Sequence, residues 1–324
     1  MDNKRIGLLF MLLCIVLSIS SCSDQTVEQS ANQRKEVTFV AKLKQGDYWN
    51  TIRMGAEAAA KEFGANLNFI APDLEEDTNR LHNMALQAIR SSVDAVVVAA
   101  SDESSLQEIT EQAGKQHITV ITVDSEVESD TVKSVIGTNN YEAGKKAGMK
   151  LVELVGTSGK IAMMSFVEES HQADLREQGF LDALKLYPDV KVLETGYCQS
   201  DVKIAKQLTQ QWLAKHGQVD GIVALNAAAS VGVAEAIKQS GLAGKVKIVA
   251  FDNTPAELEF LQDGVLQATI VQNPFSIGYL GVKYAIEATR GMHVPKRVDT
   301  GFKVIDLANM FWSENQKLLF PFVK

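Results

Sequence analysis

The chain has 324 residues and a formal net charge of −8, a length that predicts two domains. The acidic balance, with no basic block to track phosphates, excludes a nucleic-acid partner. Of three cysteines, Cys14 and Cys22 sit in the amino-terminal segment and only Cys198 lies further on, so no intrachain disulfide is expected and stability rests on packing.

Lys4 and Arg5 precede an apolar stretch from Ile6 to Ile19, which ends in small residues before Cys22. This is the pattern of a secretory signal, too short for a transmembrane span. Its end resembles a bacterial lipobox, which makes residues 1–22 a lipoprotein signal with Cys22 as the lipidated residue. Residues 23–35 are polar and aperiodic, a flexible tether. The expected location is extracytoplasmic, lipid-anchored to the bacterial cell membrane.

From Val37 onward, short β-branched runs alternate with amphipathic stretches. Strands are predicted at Val37–Ala41, Leu67–Ala71, Ala95–Ala99, Thr119–Val123 and Ser134–Gly137, with helices near Asn50–Phe63, Thr78–Ser91 and Ser104–Lys115. In the first helix Trp49, Ile52, Ala56, Ala59 and Phe63 recur at helical spacing and Gly64 supplies the stop. After a helix at Tyr141–Leu154 the cadence restarts. Strands follow at Lys160–Met164, Val190–Glu194, Gly221–Ala224, Val246–Phe251 and Ala268–Val271. The helices among them are Ala173–Leu186, Val202–Lys215, Ser230–Gln239 and Pro255–Gln262. Such alternation specifies parallel sheets covered on both faces, here two similarly built α/β domains. A last helix, Phe275–Arg290, and a last strand, Phe302–Ile305, fit either sheet by periodicity alone.

Catalytic signatures are missing: no phosphate loop, no dinucleotide-binding glycine motif and no nucleophile elbow. The five histidines are scattered without ligand spacing. The expectation is a non-enzyme without cofactor or metal. What stands out is a set of polar and aromatic residues at the carboxyl ends of predicted strands, where open α/β sheets bind ligands. Lys42, Tyr48 and Trp49 follow the first strand, and Asp124 and Ser125 the fourth. In the second half come Arg176, Asn226, Asp252 and Gln272. Singly, each has a plainer role. Tyr48 and Trp49 fit hydrophobic staples, Asp124 and Asp252 fit caps or turns, and Arg176 fits a surface pair with Glu177 or Glu169. Together they suit a sugar: carboxylates accept from adjacent hydroxyls, Arg, Lys, Asn and Gln donate, and the aromatics cover an apolar face. Two cations against two anions point to a neutral monosaccharide.

The segments Ile248–Pro255 (IVAFDNTP), Asp263-Gly264, Ala268–Gln272 (ATIVQ), Val120–Asp124 (VITVD) and Arg176–Phe180 (REQGF) together resemble the periplasmic sugar-binding proteins of the ribose-binding type. These are relatives of the ligand-sensing half of the lac-repressor family, and the resemblance covers roughly residues 36–310. It implies two doubly wound parallel-sheet lobes joined by a three-stranded hinge, the periplasmic binding protein-like I fold. Crossovers would lie near Thr138-Asn139, Gln272-Asn273 and Arg297–Thr300. The first lobe would comprise 36–138 plus 273–297, the second 139–272 plus 298–310, and 311–324 a C-terminal extension. The Phe275–Arg290 helix would return to the first lobe and the last strand to the second.

The ligand residues implied are Tyr48, Trp49, Asp124, Arg176, Asn226, Asp252 and Gln272. Lys42 is a departure, standing where ribose binders have a small polar residue and similar there to relatives that bind rhamnose or autoinducer-2. Ser125 replaces an arginine, and Ser200 an aromatic that Tyr197 could supply. The implied function is a monomeric solute-binding lipoprotein that delivers a sugar to an ABC permease; the alternative is a sugar-sensing co-receptor for a membrane histidine kinase.

Overall fold

In this computed structural model, residues 34–75, 77–99, 103–125 and 130–320 are described. The signal segment with Cys22, residues 23–33 of the tether and residues 321–324 lie outside them. Among the described residues no helix is long and apolar enough to cross a membrane.

The first run of elements is β1 (Lys35–Val40), α1 (Asp47–Phe63), β2 (Ala65–Ile70), α2 (Thr78–Arg90), β3 (Ala95–Val98), α3 (Glu103–Lys115), β4 (Thr119–Val123) and β5 (Ser134–Gly137). The second is α4 (Asn140–Val155), β6 (Lys160–Ser165), α5 (His171–Leu184), β7 (Lys191–Tyr197), α6 (Val202–His216), β8 (Gly221–Ala224), α7 (Ala227–Gln239), β9 (Lys247–Phe251), α8 (Pro255–Gln262) and β10 (Ala268–Gln272). The chain closes with α9 (Pro274–Thr289), β11 (Arg297–Asp299), β12 (Phe302–Ile305) and α10 (Ser313–Leu319).

These form two six-stranded sheets, ordered β11-β5-β4-β3-β1-β2 and β12-β10-β9-β8-β6-β7. The pairings β1–β3, β3–β4, β4–β5, β5–β11, β6–β7, β6–β8, β8–β9 and β9–β10 are parallel, and β10–β12 is antiparallel. The two-faced burial behind the unbroken apolar runs is visible in the first lobe. Phe39 and Val97 point to one core layer with Ile52 and Ile277, while Val40, Val96 and Val98 point to another with Leu81 and Ile109. Successive residues of a strand face opposite sides, so both faces need apolar residues.

The late elements resolve what periodicity left open. Helix α9 packs on α1 and β4 in the first lobe, and β12 joins the second sheet. Expected as a crossover, Arg297–Asp299 instead forms β11, pairing with β5 through Arg297 and Val135, so the third crossing starts after Asp299. It is tied to the first: Thr300 N donates to the Gly137 carbonyl (2.8 Å) and Asn139 N to Asp299 Oδ1 (3.2 Å).

In the second lobe α4 and α5 approach through glycines. A Cβ on Gly144 would stand 2.0 Å from the Arg176 carbonyl oxygen, and one on Gly179 2.0 Å from that of Tyr141. Only glycine permits this approach, and it fixes the helix that carries Arg176.

Candidate functional site

Each sheet presents an aspartate just past the carboxyl end of a central strand. Asp124 follows β4 and Asp252 follows β9, both in the left-handed region (φ 66° and 77°). The amide of each donates to the strand beside it, Asp124 N to Ile136 O (2.8 Å) and Asp252 N to Ile270 O (2.9 Å). A left-handed residue costs about 1–2 kcal/mol, which Asp tolerates better than most. Here the turn aims two buried carboxylates, 4% and 6% exposed, into the space between the lobes.

On the first-lobe side, Tyr48 in the opening turn of α1 donates its hydroxyl to Asp124 Oδ1 (2.6 Å) and lies 3.4 Å from Gln272 Oε1. Burial, then the charges of Asp124 and Asp252, push the Tyr48 hydroxyl well above its ordinary pKa, which keeps it a donor. Lys42 is buried with its Nζ 3.6 Å from Asp124 Oδ2. Gln172, at the start of α5 in the second lobe, accepts from Lys42 and donates to Asp124 Oδ2, reaching across the cleft.

On the second-lobe side, Arg176 is 3% exposed, so the surface pair with Glu177 or Glu169 does not form. Its Nε donates to Asn140 Oδ1 (2.8 Å), its Nη1 to the Leu225 carbonyl (2.5 Å), and its guanidinium lies 4.5 Å from the centre of the Phe251 ring. Asp252 accepts from Gln272 Nε2 (2.8 Å) and from the Ala227 amide at the start of α7 (3.0 Å). Burial raises its carboxyl pKa, against the pull of Arg176 and these two donors. Asn226 caps α7 through Oδ1 and donates through Nδ2 to Ser200 Oγ (2.9 Å). Ser200 in turn donates to Glu75 Oε2 of the first lobe (2.6 Å), a second bridge over the cleft.

Between these groups lies a cavity of about 260 Å³, below the roughly 300–1,000 Å³ of drug-sized pockets, which limits the occupant to a small molecule. Tyr48, Trp49, Asp124, Arg176, Asn226, Asp252 and Gln272 all line it. Lys42 does not; it stands behind Asp124 as a counter-ion. Trp49 is at once a core residue and a lining residue. It is 6% exposed and packed in the first-lobe core, set edge-on to Tyr48 with ring centroids 5.5 Å apart, while part of it faces the cavity. A larger groove of about 860 Å³ runs past the hinge along α8 and α10 and shares Tyr48, Asp252 and Gln272 as a partition, but the hydrogen-bonded ring closes on the smaller cavity.

Glu75, Phe166, Gln172 and Ser200 are among the lining residues not anticipated as ligand contacts. Phe166 directly follows β6, so the strand-end rule that found Asp124 would have found it. It is the second-lobe aromatic of the cavity, whereas Tyr197 bonds Glu177 (3.2 Å) away from it. Gln172 precedes Arg176 by one helical turn and so shares its face. Glu75 sits in a loop past β2 and had no periodic signal.

A family model described as a periplasmic binding protein domain matches residues 37–292. The chain belongs to the periplasmic binding protein family. The ribose import binding protein of Haemophilus influenzae is 27% identical over 280 residues, covering 86% of this chain and 94% of that protein. An ABC transporter solute-binding protein from Agrobacterium vitis, solved with bound D-fucose, superposes with a TM-score of 0.85 at 31% identity, covering 88% of this chain and 99% of that one. A second from the same organism, bound with α-D-tagatopyranose, gives a TM-score of 0.84 at 27% identity over 88% of this chain and 99% of its own. The two-lobed fold of this periplasmic binding protein thus agrees with that of solved sugar-bound relatives.

Proposed function

We propose that this chain is an extracytoplasmic solute-binding lipoprotein that captures one monosaccharide between its lobes and delivers it to an ABC permease. The observation that carries the reading is the pair of left-handed aspartates, one per lobe, lining one small cavity. A monosaccharide carries vicinal hydroxyls on its rim and C–H bonds on its faces. Asp124 and Asp252 accept from hydroxyls, Arg176, Asn226 and Gln272 donate, and Tyr48, Trp49 and Phe166 cover the faces; bonds to the charged groups are roughly twice as strong as neutral ones. Contacts from both lobes favour the closed form only when the ligand is present, so occupancy becomes a shape that a membrane partner reads. Sugar-binding relatives support the ligand class, and Cys22 after its apolar run supports lipid anchoring.

A thermal-shift screen of monosaccharides on the purified full-length chain tests this. Ligand at one hundred times its dissociation constant adds about 2.7 kcal/mol of stability, so one or a few stereoisomers raise the melting temperature by several degrees. A flat response across pentoses, hexoses and deoxyhexoses would reject the reading.

A further inference from the structure

The charges on the cavity wall do not balance. Among the described residues the cavity is lined by Glu75, Asp124 and Asp252, with the solvent-exposed Asp47 at its rim, and by one cation, Arg176. Lys42 behind Asp124 adds a second positive charge, which leaves a negative excess. The neutral ligand expected from two anions against two cations counts neither Asp47 nor Glu75. Asp124 is matched by Lys42 at 3.6 Å, and Asp252 feels the field of Arg176. Glu75 has only the Ser200 hydroxyl on Oε2 and takes part in no ion pair among the described residues. Arg176 already donates to Asn140 and Leu225. Burial pushes the Glu75 carboxyl up, opposed first by the charge of Lys42, so its ionised form gains from any cation a ligand brings. The rings of Tyr48 and Trp49 on the first-lobe wall suit a desolvated ammonium by cation–π attraction.

We propose that Glu75 is a specificity-determining residue and that the pocket selects a monosaccharide carrying an ammonium group, an amino sugar, over its hydroxyl parent. This rests on the monosaccharide reading above and narrows it. The ammonium would donate to the Glu75 carboxylate, while the remaining hydroxyls meet Asp124 and Asp252.

The test is calorimetry at pH 7 on the full-length chain and its Glu75→Gln variant. The probes are glucose, galactose and allose with their 2-, 3-, 4- and 6-amino deoxy derivatives and the N-acetyl forms of those amines. The expected result is at least one amine bound about tenfold or more tightly than its own parent, with the preference lost in Glu75→Gln; a charge-assisted bond supplies a difference of that size. Parents that bind while every amine binds no better, or a preference that persists in Glu75→Gln, would overturn the proposal and leave the monosaccharide reading standing. So would an N-acetyl form that binds the wild-type chain as tightly as its free amine, a result that needs no folded variant. Binding by none of these sugars would overturn the proposal, and a flat response in the wider neutral-sugar screen would then remove the monosaccharide reading with it.

Discussion

Lys42 shows how one residue changes role once its surroundings are known. Placed after the first strand, it reads as a donor to the ligand; in the fold it is 2% exposed and shares Gln172 and Asp124. Removing one partner of a buried pair strands the other charge, at a cost of about 3–5 kcal/mol. Lys42→Met is therefore expected to lower the ligand-free melting temperature sharply, and Asp124→Asn in the same chain to restore much of it. Additive losses in that double-mutant cycle would return Lys42 to the ligand side. Glu257 is a second buried group with a measurable signature. Its Oε2 closes a capping box with Thr254 at the start of α8, and the side chain is fully buried. Burial first, then the charge of Asp252, pushes its carboxyl well above the ordinary range. A carboxyl whose pKa is higher folded than unfolded binds more protons in the native state between those two values. Its contribution to stability is complete below the ordinary glutamate pKa and is lost as pH rises toward the raised one, by up to about 1.4 kcal/mol per pH unit. Glu257→Gln should flatten this slope in denaturation measured at successive pH values; an unchanged slope would place the titration elsewhere.

At the scale of elements, helix α5 links packing to the site. Gly179 lets it lie against α4, and the same helix carries Gln172 and Arg176 into the cleft. Gly179→Ala puts a methyl against the Tyr141 carbonyl. It should destabilise by about 1–3 kcal/mol, the usual penalty of overpacking, and weaken ligand binding by displacing Arg176. A melting temperature within a degree of the wild type would show that the helices part without strain. The elements themselves were legible because strands buried on both faces read as continuous apolar runs, Ala95–Val98 and Ile222–Ala224 among them. Less legible was where an element goes. The apolar stripe of α9 is the same whichever sheet it covers, and β11 is a half-exposed three-residue strand, Arg297-Val298-Asp299, with no apolar run to announce it. Site residues followed the same rule. Asp124, Asp252 and Asn226 were legible from their place at strand ends, whereas Glu75 and Ser200 meet only because two loops from different lobes converge.

Over the whole molecule, the cleft is spanned by protein–protein bonds on both flanks, Gln172 to Lys42 and Asp124 on one and Ser200 to Glu75 on the other. Each adds a modest net stabilisation of about 0.5–1.5 kcal/mol, more where a charge takes part. In the proposed complex one monosaccharide touches both lobes at once, and calorimetric titration of two single variants checks this. Asp124 belongs to the first lobe and Asp252 to the second. The expected result is one site per chain, a negative heat-capacity change from apolar burial, and loss of binding by about a hundredfold or more in Asp124→Ala and in Asp252→Ala alike, the usual cost of stranding a buried charged partner. Either variant binding the sugar with wild-type affinity would mean that one lobe holds it alone and that the ligand does not bridge the lobes.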